Sequence, residues 1–140
     1  MQGLSPSMEA FLAEKPEFLA LLGFKNYWFE GLSQTYFCTF EPSIALPHSN
    51  GTIVQGGFIA GMLDSAMAQY VLHAHDFKVN PLTLNLDITY LMPCRPSPVE
   101  ARARVLKMGK SIVFTTAELF QNDKLIATAT ATNKLTDIIK

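Results

Sequence analysis

The sequence predicts an α+β domain, one antiparallel sheet with a long apolar helix on its face, and three features carry that prediction. The run from Ile53 to Leu72 holds a single formal charge and contains the pair Gly56-Gly57. After it, Leu82, Leu84, Leu86, Ile88 and Tyr90 alternate with Thr83, Asn85, Asp87 and Thr89, the period of two expected of a strand with unlike faces. Three more strand-like stretches follow, separated by turn residues. A helix apolar nearly all round must be covered nearly all round. One small sheet covers one side, so the remainder is expected to pack on a second subunit.

In chain order, Ser5-Pro6 or Ser7 starts a short helix, and Pro16 ends it and opens a second that reaches Leu22 before Gly23. Residues 1–23 are thus expected to form a helical N-terminal flap. Residues 31–41, rich in Thr and aromatics, read as a strand, followed by a loop holding Pro42, Pro47, Asn50 and Gly51. The long helix comes next. The alternating strand after it ends at Pro93 and Pro96. Val99 to Met108, Ser111 to Gln121 and Leu125 to Leu135 complete the sheet as a meander, with turns at Gly109-Lys110 and Asn122-Asp123. Gly57 and Gly61, four apart, offer a small-residue surface for another backbone or for the chain's own sheet.

Composition narrows the function classes. With 140 residues and 49% hydrophobic content, the chain suits one domain, 1–140, near the size at which association helps. Cys38 and Cys94 lie too far apart for a metal motif, so no metal is expected. His73 and His75 have the wrong spacing for one helix face and stand where a cation suits the C-terminal dipole. A membrane span is argued against by Asp64, which costs about 2.5–3.5 kcal/mol at a span's centre. No targeting signal precedes the domain, and a cytoplasmic protein is the expectation. Residues 1–90 carry three basic and eight acidic side chains, a charge of −5, and residues 91–140 carry eight basic and four acidic, a charge of +4. The basic half suits a phosphorylated ligand or a solvated strand face. Its sparse cations, not interleaved with aromatics, argue against nucleic acid.

Chemistry is expected at Asp64. Between Glu41 and Asp76 it is the only charge, and its helical neighbours Ala60, Gly61, Met67 and Ala68 have no side chain able to donate to it. An unpaired carboxylate in an apolar run is costly, so donors from elsewhere or a catalytic use must hold it there. Gly56, at the helix N-terminus, is the natural place for a developing oxyanion. The two lie eight residues apart, about 12 Å along one helix, too far to act on the same carbonyl carbon. Two antiparallel helices across a dimer axis would bring Gly56 of one chain beside Asp64 of the other.

The run Gln55-Gly56-Gly57, Asp64 after six more residues, Asn50-Gly51 before it and Asp87-Ile-Thr-Tyr-Leu-Met-Pro93 after it resemble the hotdog-fold acyl-CoA thioesterases of the phenylacetate-degradation (PaaI-like) group. The resemblance spans about residues 30 to 135 in element order and motif. It implies a hotdog fold, a sheet wrapped around the long helix, in a homodimer or homotetramer. It implies hydrolysis of a thioester to a carboxylate and free coenzyme A, with no cofactor besides the coenzyme A of the substrate.

On this resemblance Asp64 acts as general base or nucleophile and the Gly56 N–H as oxyanion donor. Gln55 stands where many relatives have His, and its amide orients a carbonyl or water. Asn50, five residues before Gln55 rather than six, supplies a polar contact that Ser49 or His48 would otherwise give. Thr83 falls where the family often holds the attacking water. Gly109-Lys110-Ser111 sits where relatives bind nucleotide phosphates, with Arg102, Arg104 and Lys107 nearby in sequence. Gly57 belongs to the oxyanion loop, and Phe58 and Met62, with Phe11 and Leu12, suit an apolar acyl pocket.

Three other functions compete. A hotdog hydratase or dehydratase would pair a His with its acid, and no His occurs from 49 to 72. A non-catalytic acyl-CoA binding module would not need Asp64. A purely structural dimer would leave that carboxylate unexplained.

Overall fold

The computed structural model describes residues 17–43, 47–48 and 53–137, without the side chains of 47–48. The first flap helix, Phe11, Leu12, Ser49, Asn50, Gly51 and the His48 side chain lie outside the described residues. Helix α1, Glu17–Leu22, ends at Gly23 as expected. Gly23 has φ +80°, and a Cβ there would lie 2.1 Å from the Glu41 carbonyl oxygen. Only glycine allows that approach.

Strands β1 (Phe24–Glu30) and β2 (Thr35–Phe40) form a hairpin. The strand expected over 31–41 is thus shortened to β2, residues 31–34 make the turn, and β1 is an additional strand. Its pairing slips between Phe24 and Asn26, so its buried side chains, Phe24 and Phe29, are five apart and show no period of two. A short ribbon pairs β3 (Pro47–His48) with β4 (Ile53–Val54). The long helix, α2, spans Gly56–Ala74. Then come β5 (Val79–Tyr90), β6 (Val99–Met108), β7 (Ile112–Gln121) and β8 (Lys124–Asp137). Asn122 and Asp123 both take positive φ, 52° and 63°, in the two-residue hairpin loop between β7 and β8, the twist that favours such loops.

The six main strands form one antiparallel sheet in the order β1-β2-β6-β7-β8-β5. The four-strand meander holds for β6-β7-β8 only. Strand β5 pairs with β8 instead of β6, because the segment 91–98, with its three prolines Pro93, Pro96 and Pro98, carries the chain across to β6. This leaves β5, twelve residues long, as a sheet edge beside α2.

α2 lies across the sheet against β2, β5, β6, β7 and β8, the helix-in-sheet arrangement of a hotdog fold. Ala101, Ala103, Ala117, Ala127, Ala129 and Ala131 face it and are buried. Their small side chains let the helix sit close enough for Met62, Leu63, Ala66 and Met67 to be fully buried, each large one contributing about 1.5–3 kcal/mol. A buried polar chain fixes the helix rotation: the Tyr36 hydroxyl donates to Gln69 Oε1, and Gln69 Nε2 donates to Ser65 Oγ at 2.9 Å. No helix of the described residues is long and apolar enough to cross a membrane.

The helix end departs from expectation at His73. Its ring packs 5.5 Å from Phe29, its Nδ1 is buried without a hydrogen-bond partner, and burial lowers its pKa despite the opposing charge of Asp76. His73 therefore favours the neutral form over a dipole-stabilising cation. The unfolded chain takes up a proton at the ordinary value of 6.5 that the folded chain resists, so this stability is present above pH 6.5 and lost as pH falls below it. The fall in Tm from about pH 7.5 to about pH 5.5 is accordingly expected to be smaller in His73→Phe than in wild type, by thermal unfolding at both pH values. An equal fall would contradict this account.

Candidate active site

The start of α2 builds one half of the site. Gln55 is the N-cap residue, with φ −63° and ψ 142°, and its carbonyl accepts from Phe58 N at 3.0 Å and Ile59 N at 3.4 Å. Its exposed side chain makes no capping bond. The N–H groups of Gly56 and Gly57, in the first turn, have no acceptor within the helix and sit at its positive end. Tyr90, the last residue of β5, covers this turn. Its hydroxyl donates to the Gly56 carbonyl oxygen at 2.7 Å, and a Cβ on Gly56 would lie 3.0 Å from its ring. Beside them opens a cavity of about 420 Å³, walled by Ile53, Val54, Ile59, Leu91, Met92 and Pro93. That volume is in the range of small-ligand pockets.

Asp64 forms the other half. The side of α2 turned from the sheet carries a stripe of Gly57, Gly61, Asp64 and Ala68, one helical turn apart, with Gly57 exposed and the rest half-buried. A Cβ on Gly57 would meet nothing within 4 Å, whereas one on Gly61 would touch Leu22 of α1 at 3.5 Å. Neither glycine packs on the sheet. Asp64 is half-buried, and its Oδ1 accepts a hydrogen bond of 2.8 Å from the Thr83 hydroxyl of β5. Thr83 is the donor that the apolar run itself could not supply.

Thr83 reaches Asp64 because β5 is not regular. Its pairing with β8 shifts between Thr83 and Asn85, so Leu84 is the extra residue of a bulge. Before the bulge Thr83 faces the helix, opposite buried Asn133. After it Leu86 and Ile88, opposite Ala131 and Ala129, face the core, while Asn85 and Asp87 are exposed. The strict alternation expected over 82–90 is thereby corrected. Thr83 does not share a face with Asn85 and Asp87, and Leu82 and Leu84 stay exposed.

Other expected site residues stand elsewhere. Met62 is fully buried in the core and Phe58 packs half-buried against it, so neither walls the cavity beside Gly56. Gly109, at the β6–β7 turn, donates its N–H to the Ile112 carbonyl at 2.9 Å, and Ser111 O accepts from Leu135 N at 2.8 Å. That engages the Gly109 amide, while the side chains of Lys110 and Ser111 are exposed. Arg102 and Arg104 alternate with buried Ala101 and Ala103 and so lie on the sheet's outer face. Arg102 Nε binds Glu100 at 2.7 Å, with its guanidinium 4.0 Å from the Phe120 ring, and Arg104 binds Glu118 at 3.2 Å. The outward strand face turns them away from α2. Tyr90 is the site residue the sequence reading did not single out. Its signal is an aromatic that ends a strand just before Pro93.

The family model for the acyl-CoA thioesterase N-terminal domain matches residues 44–134. The chain belongs to the acyl-CoA thioesterase family. The crystal structure of a phenylacetic acid degradation-related protein from Ralstonia eutropha is 27% identical, covers 91% of this chain and 98% of its own, and superposes with a TM-score of 0.81. The phenylacetic acid degradation protein PaaI of Thermus thermophilus is 22% identical over 85% of this chain and 98% of its own, with a TM-score of 0.73. A Streptococcus mutans protein bound to acetyl CoA is 19% identical over 83% of this chain and 93% of its own, with a TM-score of 0.68. These last two show the shared hotdog fold. No curated protein matches the chain.

Proposed function

We propose that this protein hydrolyses an acyl-CoA thioester to a carboxylate and free coenzyme A, at sites shared between two copies of the chain. The observation that carries this reading is the hydrogen bond from Thr83 to Asp64 on the open side of α2. It holds one carboxylate oxygen and leaves the other for water. Water attacks the thioester carbonyl carbon while Asp64 takes its proton. The oxyanion forms against the Gly56 N–H of the other copy. The carbon–sulfur bond then breaks, and the leaving thiolate takes the proton from Asp64, giving free coenzyme A and restoring the carboxylate. Asp64 acting first as nucleophile, through a transient anhydride, is the second route, and the open stripe around it leaves room for either.

What the described residues of one chain leave uncovered supports a dimer. β5 is a twelve-residue edge with Leu82, Leu84 and Tyr90 about half exposed, a surface that invites pairing with another strand. A second β5 placed antiparallel across a two-fold axis extends the sheet, closes the Gly57–Ala68 stripe and sets the two helices antiparallel. The apolar cavity beside Gly56 suits an acyl chain or the apolar part of the pantetheine arm, and the acetyl CoA carried by the Streptococcus mutans relative supports a coenzyme A ester. Gln55 orients the carbonyl, and Lys110 and Ser111 meet the phosphates.

The test is release of free thiol from a panel of short, medium, long and aromatic acyl-CoA esters, with the mass in solution measured by sedimentation. Turnover of at least one ester by a dimer or a dimer of dimers is expected. A monomer, or no turnover of any ester, overturns the reading. Burial keeps both protein thiols protonated, raising Cys94 to about 11 and Cys38 further.

A further inference from the structure

Behind Thr83 lies a second layer of polar side chains that the reaction as proposed does not use. Asn133 of β8 is 1% exposed and Thr115 of β7 is fully buried, in a sheet whose other inward positions are mostly alanine and branched aliphatics. Buried amides and hydroxyls are costly unless bonded. Here they are bonded in sequence: Asn133 Nδ2 donates to Thr115 Oγ1 at 3.0 Å, and Thr115 Oγ1 donates to the Ala131 carbonyl at 3.4 Å. Those contacts fix the amide and aim its Oδ1 at Thr83, 3.4 Å from the hydroxyl oxygen.

The Thr83 hydroxyl therefore faces two acceptors, Asp64 Oδ1 at 2.8 Å and Asn133 Oδ1 at 3.4 Å, and has one proton to give. While Asp64 is ionised, the proton goes to the nearer, charged oxygen, the stronger bond. When Asp64 has taken a proton from water on its other oxygen, Oδ1 is left as a neutral carbonyl-like acceptor, comparable to the amide oxygen of Asn133. The Thr83 proton then lies between two acceptors of like strength, Asp64 Oδ1 and Asn133 Oδ1.

We propose that Asn133 is a positioning residue which, through Thr83, keeps the side chain of Asp64 hydrogen-bonded in both protonation states of the catalytic cycle. This rests on Asp64 accepting a proton from water, and extends that reading to a buried residue which touches neither substrate nor water. Without Asn133, only the weakened bond to neutral Asp64 fixes the Thr83 hydroxyl, and the carboxyl loses its fixed orientation midway through turnover. The bulge at Leu84 is what sets Thr83 opposite Asn133 and under Asp64 at once.

The experiment is a double-mutant cycle on the full-length protein, with kcat and KM measured for Asn133→Leu, Thr83→Val and the pair. Asn133→Leu removes the acceptor while keeping the volume. It is expected to lower kcat about tenfold with KM within about twofold, since the contact matters after substrate is bound. In the Thr83→Val background the same change is expected to have no further effect, because Asn133 has nothing left to act through. Wild-type kcat in Asn133→Leu, or two effects that multiply in the pair, would overturn the proposal. If Asn133→Leu does not fold, Thr115→Val loosens the amide instead, with the same two criteria. Asp64→Asn beside them separates the two claims: activity indifferent to Asp64 sinks the catalytic reading, whereas activity dependent on Asp64 but not on Asn133 sinks this one alone.

Discussion

Asp64→Asn is expected to reduce kcat by about 10²–10⁴, the usual worth of a positioned general base, with KM changed little. Asn has the size of Asp, and its amide oxygen can still accept from Thr83, so the 2.8 Å contact that anchors the side chain survives. Helix α2 loses no apolar contact, since Asp64 lies on the open stripe with Gly61 and Ala68. Thermal unfolding and solution mass should therefore match wild type. What disappears is the ability to take a proton from water or to attack the thioester. A fall in kcat and kcat/KM by the same factor is the signature of an interaction made in the transition state alone. Near-wild-type turnover would instead leave Asp64 a structural acid paired with Thr83, and the group that activates water would have to lie elsewhere.

Much of this architecture could be read from the chain because its signals are local. The long helix, its start at Gly56, and the strands at Val99–Met108, Ile112–Gln121 and Lys124–Asp137 follow from periodicity and turn residues lying within each segment. Asp64 stood out because its neighbours three and four residues away could not neutralise it. Strand β1 was not legible, since a slip at Phe24/Asn26 erased its alternation. The position of β5 was not legible either, because which strand a segment pairs with depends on the path of a connection and not on its own pattern. The bulge at Leu84 is the sharpest case. Leu82 to Tyr90 alternates without fault in sequence, yet one looped-out residue reverses the faces midway. That reversal puts Thr83 on Asp64, and no one-dimensional period encodes it. The partners of Thr83 at Asn133 and Thr115, from two other strands, are hidden for the same reason.

The second large effect concerns sharing of the site between chains. Gly56 and Asp64 lie on one unbroken helix, eight residues and about 12 Å apart, so a thioester carbonyl held at one is out of reach of the other within a single chain. Gly56→Val is expected to abolish turnover nearly as fully as Asp64→Asn, because a Cβ there already lies 3.0 Å from the Tyr90 ring and the added methyls must push the first turn or the ring aside. Co-expressing the two variants with different tags and purifying through both isolates the mixed dimer. In it, one site draws Gly56 from the Asp64→Asn chain and Asp64 from the Gly56→Val chain and is intact, whereas the other holds both lesions. About half of wild-type activity per dimer is the expected result, recovered from two variants that are each inactive alone. An inactive mixed dimer would mean that Gly56 and Asp64 serve the same chain's site, which the rigid spacing on α2 forbids for one carbonyl, and the oxyanion role of Gly56 would then have to be abandoned. Recovery to about half requires the two helices to run antiparallel across the axis, which makes the uncovered edge of β5 and the small-residue stripe of α2 parts of one catalytic interface.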